Sequence, residues 1–349
     1  MLWFIAFIIS LLSIQKANNR GSIILIFLIL SVIVATSTDI ADYEVYSGHY
    51  TSSDMYTLEP LYQAIIAFSN KIGFSFPLFH YLIFFSIFLS IIHITYKLQA
   101  NVYFFLVGYL ILLFPLQLTW LRMSLAFAIG YMGIYYYLIG GNKKKIIIFT
   151  VLPIFIHAGF VAVPLVLLLS SVKSKKLYYS LICCAIVMTF FTFLPFVEKG
   201  VNLIFPSEYA DVLESRYSAE EITVSKIYRI ICIVFCVLSS AYLLNKVRKM
   251  LIYYSGLFNI SESYISIIQK IIKINFSTIL LMPLSAIYDD FYRIQLYLFV
   301  LNIISFSYVF KIFNKKRGVL ILYSFVQITT LFYLFIGRIN FESVFLPIL

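Results

Sequence analysis

A small set of residues in this chain joins a reactive side chain to a position beside a long apolar run. Arg122 heads one such run, in Trp120-Leu121-Arg122-Met123-Ser124-Leu125-Ala126. A guanidinium there can grip a pyrophosphate through parallel, charge-assisted hydrogen bonds. Its bland alternative is an arginine that snorkels to an interface beside an aromatic residue. No carboxylate lies within one helical turn of it in sequence. His157 lies deep in an apolar stretch, followed by Ala158 and Gly159. An imidazole so placed can shuttle a proton or hydrogen-bond a phosphate, or it is a satisfied core histidine. His49, His80 and His93 have no spacing that suggests joint ligation of a metal.

Three acidic positions complete the set. Asp42 and Tyr43 follow an apolar run, where a carboxylate can serve as general base or bind hydroxyls and a tyrosine can stack; an ordinary solvated loop is the alternative. Glu59 precedes Pro60 and either caps a helix or holds a substrate hydroxyl, since a carboxylate favours a helix N-terminus. Asp289-Asp290-Phe291-Tyr292-Arg293 forms a short polar connection whose charges either pair with each other or offer Arg293 to an anionic headgroup. Arg216 and Arg338 are weaker candidates of the same kind.

The elements that must hold these residues are apolar. The chain is 62% hydrophobic and 12% charged, with a mean hydropathy of +0.98. Soluble domains carry about 25% charged residues, so 349 residues of this composition cannot cover a globule with polar surface. A membrane span needs about 20 apolar residues. The expected fold is therefore an all-α integral membrane protein, a polytopic bundle of about 10–11 transmembrane spans forming one domain over 1–349. Apolar runs fall near 2–14, 22–38, 77–96, 101–118, 121–139, 146–170, 177–197, 227–245, 274–288, 294–310 and 318–336. The first reads as a retained span, not a signal peptide. Amphipathic segments after Pro60 and from Ile260 to Lys273 read as helices lying on the bilayer surface.

Charge orients the spans. The net charge of +11 is gathered in short clusters between runs, which is the positive-inside pattern and excludes a nucleic-acid partner. Acidic residues collect in two long loops, 39–75 and 198–226, expected on the outer face. Strict alternation fails only at 146–170, which has lysines at both ends. Pro153, Pro164 and the His157-Ala158-Gly159 break favour a re-entrant hairpin there over a full crossing. That choice gives ten full crossings with both termini outside.

Several chemistries are excluded. No Gly-rich phosphate loop, dinucleotide fingerprint, nucleophile elbow or HExxH motif is present. Cys183, Cys184, Cys232 and Cys236 sit in apolar runs with no ligand partners, which supports neither a disulfide framework nor a metal site. No cofactor is implied. The loops between basic clusters are too short for a nucleotide domain, so a donor substrate must arrive through the membrane.

The ordered motifs Asp42-Tyr43, Glu59-Pro60-Leu61-Tyr62, Trp120-Leu121-Arg122-Met123-Ser124-Leu125-Ala126 and Phe155-Ile156-His157-Ala158-Gly159 resemble the EpsG-like branch of the Wzy polysaccharide polymerases. The resemblance covers roughly residues 1–170, with Asp290-Phe291-Tyr292-Arg293 matching a late outer arginine motif. It departs at Met123, where the family often carries a polar residue. The resemblance implies a GT-C-like, metal-independent glycosyltransferase in the bacterial cytoplasmic membrane, active on its outer face. Such an enzyme polymerises oligosaccharide repeat units carried on undecaprenyl pyrophosphate into O-antigen, capsule or exopolysaccharide. Membrane lipid, a flippase and a chain-length regulator of the same pathway are the implied partners. In that frame Arg122, His157 and Asp42 are the expected catalytic residues, and Tyr43, Glu59, Asp289, Asp290 and Arg293 are expected to bind substrate. The alternatives are a lipid-linked oligosaccharide flippase or transporter, which would carry charges at span centres, and an O-antigen ligase, which would have a larger outer domain.

Overall fold

The computed structural model describes residues 2–14, 20–38, 42–52, 58–191, 224–258, 262–287 and 289–312. Asp39, most of the 198–226 loop, Arg216, the 318–336 run and Arg338 lie outside these residues. Every regular element among the described residues is helical. The helices are α1 (Leu2–Ser13), α2 (Arg20–Thr36), α3 (Tyr43–Thr51), α4 (Pro60–Lys71), α5 (Phe76–Lys97), α6 (Val102–Leu112), α7 (Phe114–Thr119) and α8 (Leu121–Leu138). They continue as α9 (Lys143–Val151), α10 (Ala162–Ser170), α11 (Lys175–Phe191), α12 (Val224–Phe258), α13 (Glu262–Ser277), α14 (Met282–Ile287) and α15 (Asp289–Ile312).

Apolar runs become helices because a segment without water around it must satisfy its backbone internally. Phe76–Lys97 and Glu262–Ser285 are each long and apolar enough to cross a membrane, and several other helices are apolar but shorter. Large hydrophobic side chains also point outward: Leu12 is 73% exposed and Leu168 is 68% exposed. Exposed apolar side chains on this scale fit a surface covered by lipid or by another protein.

Two expectations are corrected. The segment Ile260–Lys273 is not a separate surface helix: α13 runs from Glu262 through the 3₁₀ turn Thr278–Leu281 into α14, and Ile267, Ile268, Ile271 and Ile274 are buried. Tertiary packing supplies the partner that the amphipathic pattern had assigned to a bilayer surface. Arg293 does not sit in a turn either, because α15 begins at Asp289 and carries it on the helix.

α8 is the element on which the rest converges, packing along α5 on one side and α9 on the other. Small residues permit its close contacts with Phe160 and with α9. A Cβ on Gly130 would stand 2.1 Å from Phe160 Cζ, and one on Gly133 would stand 2.6 Å from Thr150 Cγ2. On another flank, Gly108 of α6 admits Ile303 of α15 in the same way.

The 146–170 stretch is broken in its middle. α9 gives way to a 3₁₀ turn at Leu152–Phe155, His157 is extended (φ −152°, ψ 111°), and a second 3₁₀ turn covers Ala158–Val161 before α10. α9 and α10 pack against each other, so the chain turns back at His157. Tyr137, near the end of α8, hydrogen-bonds Ser170 at the end of α10 (2.7 Å). Lys270 donates to the Tyr137 and Leu138 carbonyls at the same end, at 3.1 and 2.7 Å. The start of α9 and the end of α10 are thus at one end of α8, and His157 points to the other.

Candidate functional site

The site is assembled at the N-terminal end of α8. α3 and α4 are held there by aromatic packing. Tyr50 packs at a tilt against Phe79 (4.9 Å between ring centroids) and donates to the Phe74 carbonyl (2.9 Å), while Asn70 of α4 donates to the Tyr50 carbonyl (3.0 Å). Tyr62 is 1% exposed and anchors the first turn of α4. Pro60 at the first position of α4 suits its fixed φ.

Glu59 occupies the N-cap position of α4, yet its side chain makes no capping bond. The carboxylate turns away to the centre of the site. Arg122 Nη1 donates to Glu59 Oε2 at 2.9 Å. The Ala158 backbone N–H donates to Oε1 at 3.0 Å, and His157 Nδ1 contacts the same oxygen at 3.4 Å. One buried carboxylate therefore joins the head of α8 to the tip of the hairpin. Burial alone would raise the Glu59 carboxyl, but the His157 hydrogen bond, the Arg122 charge and the Ala158 N–H together hold it down at about 2. The carboxylate remains ionised at any physiological pH.

This arrangement corrects the expectation that Arg122 stands uncompensated. Its counter-charge comes from 63 residues away in the chain, which no local count of neighbours reveals. The guanidinium is not a snorkelling group either, since its side chain is 19% exposed. Nε of Arg122 is buried with no hydrogen-bond partner among the described residues.

Sequence reasoning missed Tyr46. It lies on α3, and burial raises its phenol above the ordinary value, while the charges of Arg122 and Arg293 pull the other way. Tyr43, Tyr46 and Tyr50 recur at helical spacing, and that pattern was the available signal. Arg293 lies over the Trp120 ring, 4.8 Å from its centroid.

The remaining candidates fall at the margin. Asp42 is exposed, in the left-handed region (φ 67°), and precedes the first turn of α3 without a side-chain capping bond. Tyr43 packs edge-on against Phe76 (5.0 Å) and His80 (5.8 Å). Asp289 and Asp290 open the first turn of α15, one turn before Arg293.

Chemically, the cluster offers a cation, a buried carboxylate and an imidazole whose Nδ1 faces that carboxylate. Among the described residues no group of His, Cys, Asp and Glu side chains has the makings of a metal site.

Every described element is helical, large hydrophobic side chains face outward, and two helices are long and apolar enough to cross a membrane, which together point to an all-α protein of membrane type. More particularly, the chain belongs to the EpsG family, whose model matches residues 22–347. No curated relative and no solved structure matches it. Membership points to polysaccharide polymerisation, and so to an enzyme of polysaccharide biosynthesis.

Proposed function

We propose that the protein is a glycosyltransferase-type polymerase that joins oligosaccharide repeat units carried on undecaprenyl pyrophosphate, working on the outer face of the cytoplasmic membrane. The observation that carries this reading is the Arg122–Glu59–His157 cluster at the end of α8 remote from Lys270. Glycosyl transfer builds positive charge on the sugar and negative charge on the departing oxygen. Arg122, with Arg293 behind it, stabilises the pyrophosphate as its bond to the anomeric carbon breaks. The acceptor hydroxyl forms the new bond to that carbon and gives its proton to His157. Glu59 orients the imidazole by accepting a hydrogen bond from Nδ1–H, which leaves Nε2 to receive the proton. Asp42 and Tyr43 at the rim, and Asp289 and Asp290 at the head of α15, bind sugar hydroxyls.

In this reading the 146–170 segment is a re-entrant hairpin with both ends cytoplasmic and His157 at its tip. Each arm joins nine α-helical residues to a four-residue 3₁₀ turn, about 21 Å of rise, which falls short of a bilayer's hydrocarbon core of about 30 Å.

The test is polymerisation by purified protein supplied only with lipid-linked repeat units. Ladders of increasing length are expected, and in cells a deletion leaves carriers bearing one unit. Long polymer of normal length in a deletion strain lacking any second polymerase overturns the proposal. Repeat units trapped on the cytoplasmic leaflet would mark a flippase instead.

A further inference from the structure

We propose that Trp120 is a positioning residue: its indole face holds the Arg293 guanidinium beside Arg122, so that two cations act on one leaving group. The inference rests on the leaving-group reading of Arg122 and Arg293 given above.

The geometry is specific. Trp120 is the residue immediately before α8, and Arg122 follows two positions later. Its backbone is fixed on both sides: its N–H donates to the Leu116 carbonyl, and its own carbonyl accepts from Ser124 N–H, each at 2.9 Å. The ring is 8% exposed, so it is not an interfacial belt residue. Arg293 sits over this ring at 4.8 Å from the centroid. One turn further along α15, Tyr297 meets the same indole at 6.4 Å. Residues four apart share a helix face, so Arg293 and Tyr297 address Trp120 together.

Tyr297 is itself immobile. It is fully buried, stacks on Phe127 at 4.5 Å, and its hydroxyl pairs with Ser124 at 2.7 Å. Its carbonyl accepts from Tyr131 at 3.0 Å. The contact of α15 with α8 is therefore pinned below Arg293, and the indole fixes where the guanidinium can go. The charges of Arg122 and Arg293 both act on the Tyr46 phenol. A tryptophan face attracts a cation through its ring quadrupole, and that attraction strengthens where water is excluded.

A merely space-filling Trp120 would give the same picture, so the test must separate charge distribution from volume. Fluorination drains the ring's negative face with little change in size. The chain has two tryptophans, Trp3 and Trp120, so a Trp3→Phe background with global fluorotryptophan labelling reports on Trp120 alone. Initial rates of polymerisation are measured against lipid-linked donor concentration for the unsubstituted, mono-, di- and trifluoro proteins, with melting temperature in detergent as the folding control. The expected result is a graded fall in kcat/KM, roughly tenfold across the series, at constant melting temperature. Arg293→Ala should lower activity and abolish the gradient. A flat series alongside an impaired Arg293→Ala protein overturns the positioning role and leaves the site reading intact. A gradient that persists in Arg293→Ala also overturns it, because the ring then acts on something else. Wild-type activity in Arg293→Ala removes Arg293 from the leaving-group site, and this proposal falls with it.

Discussion

Glu59 Oε2 and Arg122 Nη1 are 2.9 Å apart, although the residues are separated by 63 positions and come from different helices. Both are largely shielded from water, so neither charge tolerates the loss of its partner. Removing one member of a buried pair costs about 3–5 kcal/mol, because the other remains buried and unpaired. Glu59→Ala and Arg122→Ala should each lower the melting temperature in detergent. The double variant should fall well short of the sum of the two, a coupling of about 1–3 kcal/mol. Strict additivity would mean that the pair contributes nothing to holding α4 on α8.

The same pair sets a pH dependence. The Glu59 carboxyl is held at about 2 in the folded protein, below its ordinary 4.5. A depressed carboxyl adds stability that is complete above the unfolded value and is lost as pH falls through the folded one. In a His157→Asn background, which removes the imidazole that contacts the same carboxylate, the melting-temperature gap between the Glu59 and Glu59→Gln proteins should stay constant from about pH 8 to about pH 5, then shrink as the solution is acidified further. A gap that changes between about pH 7 and about pH 5 would show that Glu59 titrates there and is not held by Arg122 and the hairpin tip.

Much of this architecture was legible in the sequence. Apolar runs at 77–96 and 121–139 became α5 and α8 to within a residue or so, because backbone satisfaction and side-chain burial demand the same thing of such segments. The break at His157 was legible from Pro153 and the Ala158-Gly159 pair. Less legible was α3, whose Tyr43–Thr51 sequence is too polar to announce a helix without its packing partners Phe76 and Phe79. α12 outran its apolar stretch, continuing through Lys246, Arg248 and Lys249 to Phe258, since charges interrupt hydropathy but not helical hydrogen bonding. In the site, Arg122, His157 and Glu59 were each singled out, but their joining was not. Local spacing cannot show a contact made across 63 or 98 residues.

The hairpin reading makes a topological prediction. Single cysteines at Lys144 and Lys173, in a background cleared of native cysteines, should both resist an impermeant thiol reagent in intact cells. A cysteine at Glu44, exposed on α3, should label readily. Both lysine positions should label once the membrane is permeabilised. Labelling at Lys173 but not at Lys144 in intact cells would mean that 146–170 crosses the bilayer fully.

Gly130 tests the packing of the hairpin against α8. A methyl there meets the Phe160 ring at 2.1 Å, and that ring is fully buried with Phe127 against it at 4.9 Å. Gly130→Ala should destabilise by about 1–3 kcal/mol, the usual result of overpacking. It should also lower activity by displacing His157 three residues from Phe160. Gly48→Ala is the control, since nothing lies within 4 Å of a Cβ there. Equal melting temperatures for the two variants would mean that the hairpin is not seated against Gly130.

Arg122 carries the most pointed prediction, because two explanations of its conservative replacement give opposite results. If the side chain only supplies a positive charge to Glu59, lysine should serve nearly as well. If it also grips a pyrophosphate, the planar fork matters, since Nη1 is already committed to Glu59 and only a guanidinium has further donors in the same plane. Its Nε is buried, and no described residue accepts from it. Arg122→Lys should therefore retain most of the melting temperature and lose most of the activity. Arg122→Ala should cost on the order of 3 kcal/mol of transition-state stabilisation, roughly a hundredfold in rate. The measurement is polymer formation from purified lipid-linked repeat units, with protein amounts matched and melting temperatures read in parallel. Polymerisation by Arg122→Lys at the wild-type rate would reduce Arg122 to a structural counter-ion of Glu59 and move the leaving-group site elsewhere.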